Sequence, residues 1–339
     1  MGDDVDSQRP ICIAGAGSVG CFVGGALAVA GHRVSLLARP RVCDGIRVGG
    51  LRSSSFDGGR WHLTTEQVTV SDDPAVMADA RIILVTVKSG DTAAMAGAIR
   101  QHAAADAVIV SLQNGIGNIA LLRERLPDHR VLGGMVSFNV VTRDDGTVHR
   151  ATSGALVIAR DEADTASQLA APHLPVAATD DIEGVQWGKL LLNLSNALNA
   201  LSGLPLRTQL QQRAWRRLYA DQMSEGLATL RAAGIEPVST TRIPARWTPC
   251  LLRLPDSLFA VLLDRVMKID AEARSSMWED LQRGRPTEID YLQGVIVERA
   301  ARYRLPTPLC ERIARLVKAA ESAGRGSPGL SAQQVRGDL

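Results

Sequence analysis

The sequence predicts an α/β domain with a mostly parallel sheet, followed by an all-α domain. Short apolar segments near the N-terminus alternate with helical patterns, which is typical of βαβ units. Strand patterns cease after about residue 183. From there onward apolar residues recur at the spacing of a helix, so we expect the second half to be helical.

The length and composition are those of an ordinary globular protein. The 339 residues are most simply two domains, and a net charge of +2 gives no reason to expect nucleic acid or membrane partners. We find no export signal and no apolar run of about 18 residues. The five scattered cysteines favour free thiols in a reducing cytoplasm. The dispersed histidines lack metal-ligand spacing, so no metal site is expected.

The first apolar strand, ICIA at residues 11–14, runs directly into the glycine-rich stretch GAGSVG. An apolar helix pattern and a second strand, VSLLA, follow within about thirty residues, which is the context of a dinucleotide-binding fingerprint. Its glycines permit a tight turn, close approach of a pyrophosphate and packing of helix on strand. We therefore predict a Rossmann-type domain in which the cofactor contacts Gly15, Ala16, Gly17, Ser18, Val19 and Gly20.

The end of the second strand indicates which cofactor binds. An acidic residue usually holds the ribose 2′-hydroxyl at this place, but the chain has Ala38, Arg39, Pro40 and Arg41. An arginine can bind a 2′-phosphate through charge-assisted hydrogen bonds. Arg39 therefore favours NADP over NAD, although a solvated arginine in an arginine-rich chain is the alternative.

Two further strands end in polar residues. RIILVTV (81–87) is followed by Lys88, and AVIVSLQ (107–113) is followed by Asn114. Ligands bind at the carboxyl ends of strands in open parallel sheets, so we expect both residues near the bound cofactor. Shorter strands complete a domain at residues 1–183, with a disordered start at residues 1–10.

The second domain, residues 184–323, should contain the catalytic helices. Helical patterns cover residues 185–201, 210–233, 255–283, 288–303 and 308–322. The tail, residues 324–339, is rich in Gly, Ser and Gln, and we expect it to be disordered.

One of these helices, WGKLLLNLSNALNAL, is apolar except for Lys189, Asn193, Asn196 and Asn199. The chain has only four lysines against thirty-four arginines, and only six asparagines. At about 100° per residue the first three fall within an arc of about 60°. Such a stripe suggests a cleft in which asparagines bind a small substrate and the lysine protonates a carbonyl oxygen. Polar residues that satisfy one another at a domain interface are the alternative.

A second constellation is SSMWEDLQRGRPTEID at residues 275–290. Ser276 and Asp280 share a helix face, and glycine and proline then break the helix. Thr287 resembles the N-cap of the next helix, with Asp290 completing a capping box and Glu288 in the first turn. The helix dipole alone explains an acidic residue there, so a catalytic role for Glu288 stays open.

The motifs GAGSVG, VTVKSGDT, LQNGIGN, WGKLLLN and SSMWEDLQRGRPTEIDYLQG, in this order, resemble the ketopantoate reductase (2-dehydropantoate 2-reductase) family. The resemblance covers about residues 11–320. It implies reduction of ketopantoate to pantoate with NADPH, on the way to pantothenate and coenzyme A, in a cleft between the two domains. The cysteine pattern and the lack of a recognisable export signal predict a cytoplasmic protein, and a homodimer is a further expectation.

The resemblance implies a role for individual residues. Lys189 is similar to the lysine that protonates the new hydroxyl, and Glu288 to an acidic residue beside it. Arg39 resembles the ligand of the 2′-phosphate, and Lys88 the lysine on the cofactor side. The resemblance places four further residues near the nicotinamide or the substrate: Asn114, Asn193, Ser276 and Asp280. The polar stripe of the helix adds Asn196 as a substrate-binding candidate.

Departures from the family pattern leave other functions open. The second asparagine of the helix usually lies eight residues after the lysine, where this chain has Ala197. Ala273 and Asp91 also differ from residues that can occur at those positions. A related 2-oxo acid is therefore an alternative substrate. Oxidation of a 3-hydroxyacid and non-catalytic sensing of NADP(H) are two further alternatives.

Overall fold

The computed structural model describes residues 9–239, 243–260 and 273–338. The chain divides into two compact units, Met1–Glu183 and Gly184–Leu339, at the point where the strand patterns of the sequence cease.

The first unit is built on an eight-stranded sheet in the order β12-β11-β8-β7-β6-β1-β2-β5. All neighbouring strands are parallel except β8 and β11, which are antiparallel. A second sheet has the order β4-β3-β10-β9. The strands are β1 (Ile11–Ala14), β2 (Val34–Leu37), β3 (Leu51–Ser55), β4 (Arg60–Leu63), β5 (Thr69–Ser71), β6 (Ile82–Val85), β7 (Val108–Ser111), β8 (Arg130–Val136), β9 (Val140–Thr142), β10 (Val148–Arg150), β11 (Leu156–Ala159) and β12 (Val176–Thr179).

Helices cover both faces of the large sheet because its central strands are apolar on both sides. In β1, Ile13 packs into one apolar cluster together with Phe22, whereas Cys12 faces a second cluster that contains Ile99. The helices of this unit are α1 (Ser18–Val29), α2 (Pro40–Gly49), α3 (Thr92–His102), α4 (Asn118–Arg125) and α5 (Thr165–Gln168). This layering confirms the predicted Rossmann-type architecture.

The strand order creates the place where a ligand binds in such folds. The chain runs from β1 outward to β2 on one side, and β6 lies on the other side of β1. The order therefore reverses between β1 and β6, and loops at the carboxyl ends of these strands diverge to leave a crevice.

The second unit is helical, and its described residues contain no strand. Its helices are α6 (Ile182–Asn193), which begins in the last residues of the first unit, α7 (Ser195–Ser202), α8 (Leu206–Gln211), α9 (Arg213–Ala232), α10 (Thr248–Leu252), α11 (Ser276–Gln282), α12 (Val295–Arg302), α13 (Pro308–Ala323) and α14 (Ala332–Arg336). A π-helical turn, Asp290–Gly294, leads into α12. In the described ranges no helix is long and apolar enough to cross a bilayer, and no three metal-ligating side chains cluster.

Two predicted helices are divided in the structure. The helix expected at 185–201 is interrupted at Leu194. The helix expected at 255–283 lies partly at residues 261–272, outside the described residues, and a new helix begins only at Ser276. Ser275 is its N-cap, since its hydroxyl accepts a hydrogen bond from the Trp278 amide at 3.2 Å.

The prediction of a disordered tail is wrong for residues 324–338. Ser331 and Gln334 form a capping box at the start of α14, and Val335 is fully buried. Arg312 donates from Nε to the Val335 carbonyl at 2.7 Å. This short helix is not evident from the sequence, because its polar composition resembles that of a disordered segment. At the other end, residues 1–8 lie outside the described residues, and Arg9 forms an ion pair with Asp106 at 2.6 Å.

Candidate active site

The glycine-rich turn between β1 and α1 has the geometry that a bound phosphate requires. Gly15 has a φ of +105°, and a Cβ added there would lie 2.7 Å from the Val87 amide nitrogen. A Cβ at Gly20 would lie 2.6 Å from Thr86 Oγ1, so only glycine lets α1 approach β6 this closely. Each position excludes a side chain for a structural reason.

Gly17 differs from the other two glycines because the space beside it is open. A Cβ added there would meet nothing closer than the Gly15 carbonyl oxygen at 4.0 Å. Gly17 is the N-cap of α1, whose first amide groups, beginning with Ser18 and Val19, have no acceptor within the helix. An open surface at a helix N-terminus fits a pyrophosphate, because the free amides and the dipole attract an anion.

Arg39 lies where the ribose of such a nucleotide would be bound. It follows β2, the neighbour of β1, and is the N-cap of α2. Its side chain is exposed and has no hydrogen bond or ion pair to any residue that the structure describes. The guanidinium is therefore available to an external anion.

Polar side chains at the carboxyl ends of β6 and β7 form a buried network. Gln113 donates to Thr92 Oγ1 at 2.7 Å, and Thr92 Oγ1 contacts Asn118 Oδ1 at 2.8 Å. Asn118 Nδ2 donates to Ser89 Oγ at 3.0 Å and to the Asn114 carbonyl at 2.9 Å. The network joins the two loops that follow β6 and β7 and fixes their backbones.

Four residues of this network were not among the predicted site residues: Ser89, Thr92, Gln113 and Asn118. They lie in the VTVKSGDT and LQNGIGN motifs, which supplied only Lys88 and Asn114 as candidates. In the structure the four residues are buried, whereas Lys88 is half-buried and Asn114 is exposed. The short polar residues that flank Lys88 and Asn114 in the two motifs are the sequence feature that could have indicated this supporting network.

In the helical unit, the predicted stripe on α6 and α7 is a set of half-buried side chains: Lys189, Asn193 and Asn196, which we call the polar arc. Within the described residues none of the three side chains has a hydrogen-bond or ion-pair partner. Desolvation lowers the pKa of the Lys189 ammonium from its ordinary value of 10.5. The arc therefore carries donors and acceptors that other parts of this unit leave unused.

Asn199 has a structural role instead. It is fully buried, donates to the Leu204 carbonyl at 2.8 Å and accepts from the Ser275 amide at 2.8 Å. Ser275 also donates to the Asn196 carbonyl at 3.0 Å. These bonds place the start of α11, with the exposed Ser276, beside the helix that carries the polar arc.

The segment from Asp280 to Asp290 only partly matches the prediction. Asp280 is buried and forms an ion pair with Arg285 at 3.2 Å, which already accounts for its charge. The Thr287 hydroxyl accepts from the Ile289 amide at 3.3 Å, although Ile289 and not Thr287 is the N-cap of the π turn Asp290–Gly294. The predicted capping box is wrong, however, because the Thr287 amide donates to Glu321 at 2.7 Å, and Asp290 pairs with Lys318 at 2.6 Å.

Glu288 lies just ahead of its helix and not in the first turn, where we expected it. It is half-buried at a bend, and the helical run begins after it with the π turn Asp290–Gly294. Its position ahead of the helix still favours an acidic side chain.

Comparisons with known proteins agree with this arrangement. The family models described as ketopantoate reductase PanE/ApbA and its C-terminal domain match residues 11–162 and 181–321. A 2-dehydropantoate 2-reductase from Halobacterium salinarum is 31% identical over 326 residues, which cover 93% of this chain and 99% of the relative.

Solved structures show the same fold. A PanE/ApbA family ketopantoate reductase from Ralstonia eutropha JMP134 is 32% identical with a TM-score of 0.80, covering 93% of this chain and 99% of that one. D-mandelate dehydrogenase, solved with NADH and anilino(oxo)acetate, has a TM-score of 0.77 over 93% of this chain and 99% of that one, at 21% identity. The chain therefore belongs to the ketopantoate reductase family of pyridine-nucleotide-dependent oxidoreductases.

Proposed function

We propose that this enzyme reduces ketopantoate to pantoate with NADPH, a step towards pantothenate and coenzyme A. The observation that carries the proposal is the polar arc, in which Lys189, with a lowered pKa, lies beside two asparagines and has no partner among the described residues. The names of the relatives support the choice of substrate.

Lys189 is the proton donor in this proposal. A nicotinamide cofactor, when bound, would supply hydride chemistry at the carbonyl carbon, and the carbonyl oxygen must then gain a proton. A lysine ammonium that bonds to this oxygen polarises the carbonyl and then gives up a proton from Nζ. Desolvation assists the donation because it disfavours the charged form of the lysine.

Asn193, Asn196 and Ser276 hold the substrate. Amide and hydroxyl groups offer both donors and acceptors without charge, which suits the carboxylate and the hydroxyl of a small hydroxy oxo acid. Glu288 stabilises the ammonium form of Lys189 or orients the substrate hydroxyl. Asp280 forms an ion pair with Arg285 and thereby supports the start of the segment from Asp280 to Asp290. It contributes less to substrate binding than Asn193, Asn196 and Ser276.

NADPH is the cofactor in this proposal. The amides at the start of α1 bind the pyrophosphate, and Gly17 leaves room for it. Arg39 binds the 2′-phosphate, and Lys88 and Asn114 complete the cofactor side of the site. The guanidinium of Arg39 is exposed and has no partner among the described residues, which supports the preference for NADP over NAD.

A substrate panel tests the proposal directly. NADPH oxidation is followed by absorbance with ketopantoate, with other branched or aromatic 2-oxo acids, and in reverse with 3-hydroxyacids and NADP⁺. We expect the highest kcat/KM with ketopantoate. Turnover of 3-hydroxyacids alone, or tight NADPH binding without turnover of any substrate, would contradict the proposal.

A different 2-oxo acid is the second candidate, and one observation favours it. Ala197, where the family usually has its second asparagine, is fully buried, and the polar arc has Asn196 instead. Because the side-chain amide stands one residue earlier than in the family, it can bind a different group of the substrate. The panel distinguishes this candidate by the identity of the best oxo acid.

The expectations of a homodimer and of a cytoplasmic location stay predictions. Light scattering coupled to size-exclusion chromatography measures the oligomeric state, and fluorescence of a tagged full-length chain shows its location in the cell.

A further inference from the structure

The helix that carries the polar arc is interrupted at one residue, Leu194, in the middle of the arc. α6 ends at Asn193 and α7 begins at Ser195, so Lys189 and Asn193 precede the break and Asn196 follows it. Leu194 keeps helical backbone angles (φ -57°, ψ -26°), and its amide donates to the Leu190 carbonyl at 3.1 Å. Groups that bond the carbonyls at this break can therefore adjust how the two parts of the arc are aligned.

Side chains from elsewhere in the unit bond the carbonyls at this break. Gln222, on α9, and Gln293 each donate from Nε2 to the Leu194 carbonyl at 3.0 Å. Gln293 also donates to Gln222 Oε1 at 3.1 Å, so the two amides form a pair. Tyr219 donates its hydroxyl to the Leu192 carbonyl at 3.0 Å.

Gln293 belongs to a second irregular element. It lies in the π turn Asp290–Gly294, and π turns inside helices occur frequently at functional sites. Glu288 lies two residues before this turn. The glutamine pair thus connects the break beside Lys189 and Asn193 with the turn that follows Glu288.

The arrangement is costly for stability alone. Both glutamines are fully buried, and Gln293 Oε1 has no hydrogen-bond partner among the described residues. An unsatisfied buried acceptor destabilises the folded state. A role in orienting the site accounts for a π turn, a helix break and an unsatisfied amide that meet at one carbonyl.

We propose that Gln222 and Gln293 are positioning residues, which fix the helix break at Leu194 and thereby orient the polar arc towards the 2-oxo acid. The proposal rests on the proposed function, because the arc must bind the substrate for its orientation to matter. Neither glutamine needs to touch the substrate. A small misorientation of reacting groups can cost a large factor in rate.

Methionine variants test this role, because methionine keeps the length of glutamine and removes its amide. We expect Gln293→Met and Gln222→Met each to lower kcat with ketopantoate by at least about tenfold, since misplacement of the arc weakens proton donation. The Kd for NADPH should stay within about twofold, because the glycine turn belongs to the other unit. The double variant should lose no more than the worse single variant, since both changes break the same pair.

Gln209→Met is the matched control. Gln209 is also buried in the helical unit, but it donates to Ser202 at 3.2 Å and does not bond Leu194. We expect it to lower the melting temperature while kcat stays at the wild-type value. If either methionine variant is poorly folded, Tyr219→Phe removes one bond at the break and keeps the ring, with an expected loss in kcat of about twofold to tenfold.

The outcomes separate the two proposals. Wild-type kcat in folded Gln222 and Gln293 variants, or an equal loss in Gln209→Met, would overturn the positioning role and leave the proposed function intact. A wild-type enzyme that turns over no 2-oxo acid would overturn the proposed function, and the positioning role with it.

Discussion

The two units treat their polar candidate residues in opposite ways. At the strand ends of the first unit, Ser89, Thr92, Gln113 and Asn118 bond one another and the backbone in a buried network. In the helical unit, the side chains of the polar arc have no partners within the described residues. The first arrangement holds loops rigid before a ligand arrives, and the second leaves its hydrogen-bonding capacity to a ligand.

The difference has a physical origin. A nucleotide is bound largely by backbone amides, so the side chains around it serve to fix the backbone. A small oxo acid is bound by side chains, which must therefore not be satisfied by the protein itself. Removal of a network residue should mainly change stability, whereas removal of an arc residue should mainly change turnover.

The largest effect is expected for the lysine of the arc. Lys189→Ala should lower kcat by about 10²–10⁴-fold, the range for acid–base catalysis, with little change in the Kd for NADPH. Lys189→Arg should not restore activity, because a guanidinium does not release its proton. The exposed Lys318 offers a matched control, and Lys318→Met should keep wild-type kcat.

The pH profile sharpens the same prediction. Only the ammonium form donates a proton, so kcat should fall as the pH rises through the pKa of Lys189. Burial lowers this pKa, so the fall should occur below pH 10.5. An arginine variant with full activity would show that the lysine supplies charge alone. A wild-type profile that stays flat up to that pH would show that turnover does not depend on the ammonium form of Lys189.

The next effect concerns cofactor choice in the first unit. Hydrogen bonds to charged groups contribute about 1.5–3 kcal/mol, so Arg39→Ala should weaken NADPH binding by about tenfold to a hundredfold. NADH binding should barely change. Arg47→Ala, an exposed arginine on the same helix that pairs with Asp44 at 3.1 Å, is the control and should change neither. Equal losses of both cofactors in a titration would contradict the role of Arg39.

The Glu288→Gln variant tests whether the bend before the π turn is part of the proposed active site. We expect kcat/KM to fall by at least about tenfold, a barrier change of about 1.4 kcal/mol or more. The melting temperature should change little, because a charge at a helix start contributes only about 0.3–1 kcal/mol. Normal kinetics in a variant that melts early would leave Glu288 as a helix-start residue.

A substitution in the buried network of the first unit should lower stability more than turnover. Thr92→Val keeps the shape and removes the central hydroxyl, which deprives the Gln113 amide of one of its two acceptors, the other being the Val87 carbonyl. We expect a loss of about 1–3 kcal/mol in the free energy of unfolding, measured by urea denaturation. Turnover of the folded enzyme should change far less than in Lys189→Ala. A large fall in kcat without loss of stability would contradict the claim that the network mainly stabilises the first unit.

The smallest effect is a gain in stability. Lys189→Met removes an ammonium that burial disfavours, so the variant should melt slightly above the wild type at pH 7. The penalty is fully present below the lowered pKa of the folded lysine and disappears above 10.5, where both states are neutral. The gain should therefore shrink as the pH rises. A constant gain across this range would indicate improved packing instead.

The sequence alone determined those features that depend on local pattern. Glycine spacing after an apolar strand specified the phosphate turn, because Gly15 and Gly20 have no room for a side chain. The helical period specified which face carries Lys189, Asn193 and Asn196. Motif order was enough to indicate the family, which the comparisons then showed.

Only the tertiary structure decided the features that depend on partners distant in the sequence. The break at Leu194 is bonded by Gln222 and Gln293, which lie 28 and 99 residues away. The tail folds because Arg312 bonds the carbonyl of the buried Val335. Whether a polar side chain is satisfied inside the protein, as Asn199 is, or left available, as Asn193 is, depends on which groups the fold brings near it. No local periodicity encodes that, because the partners are chosen by packing.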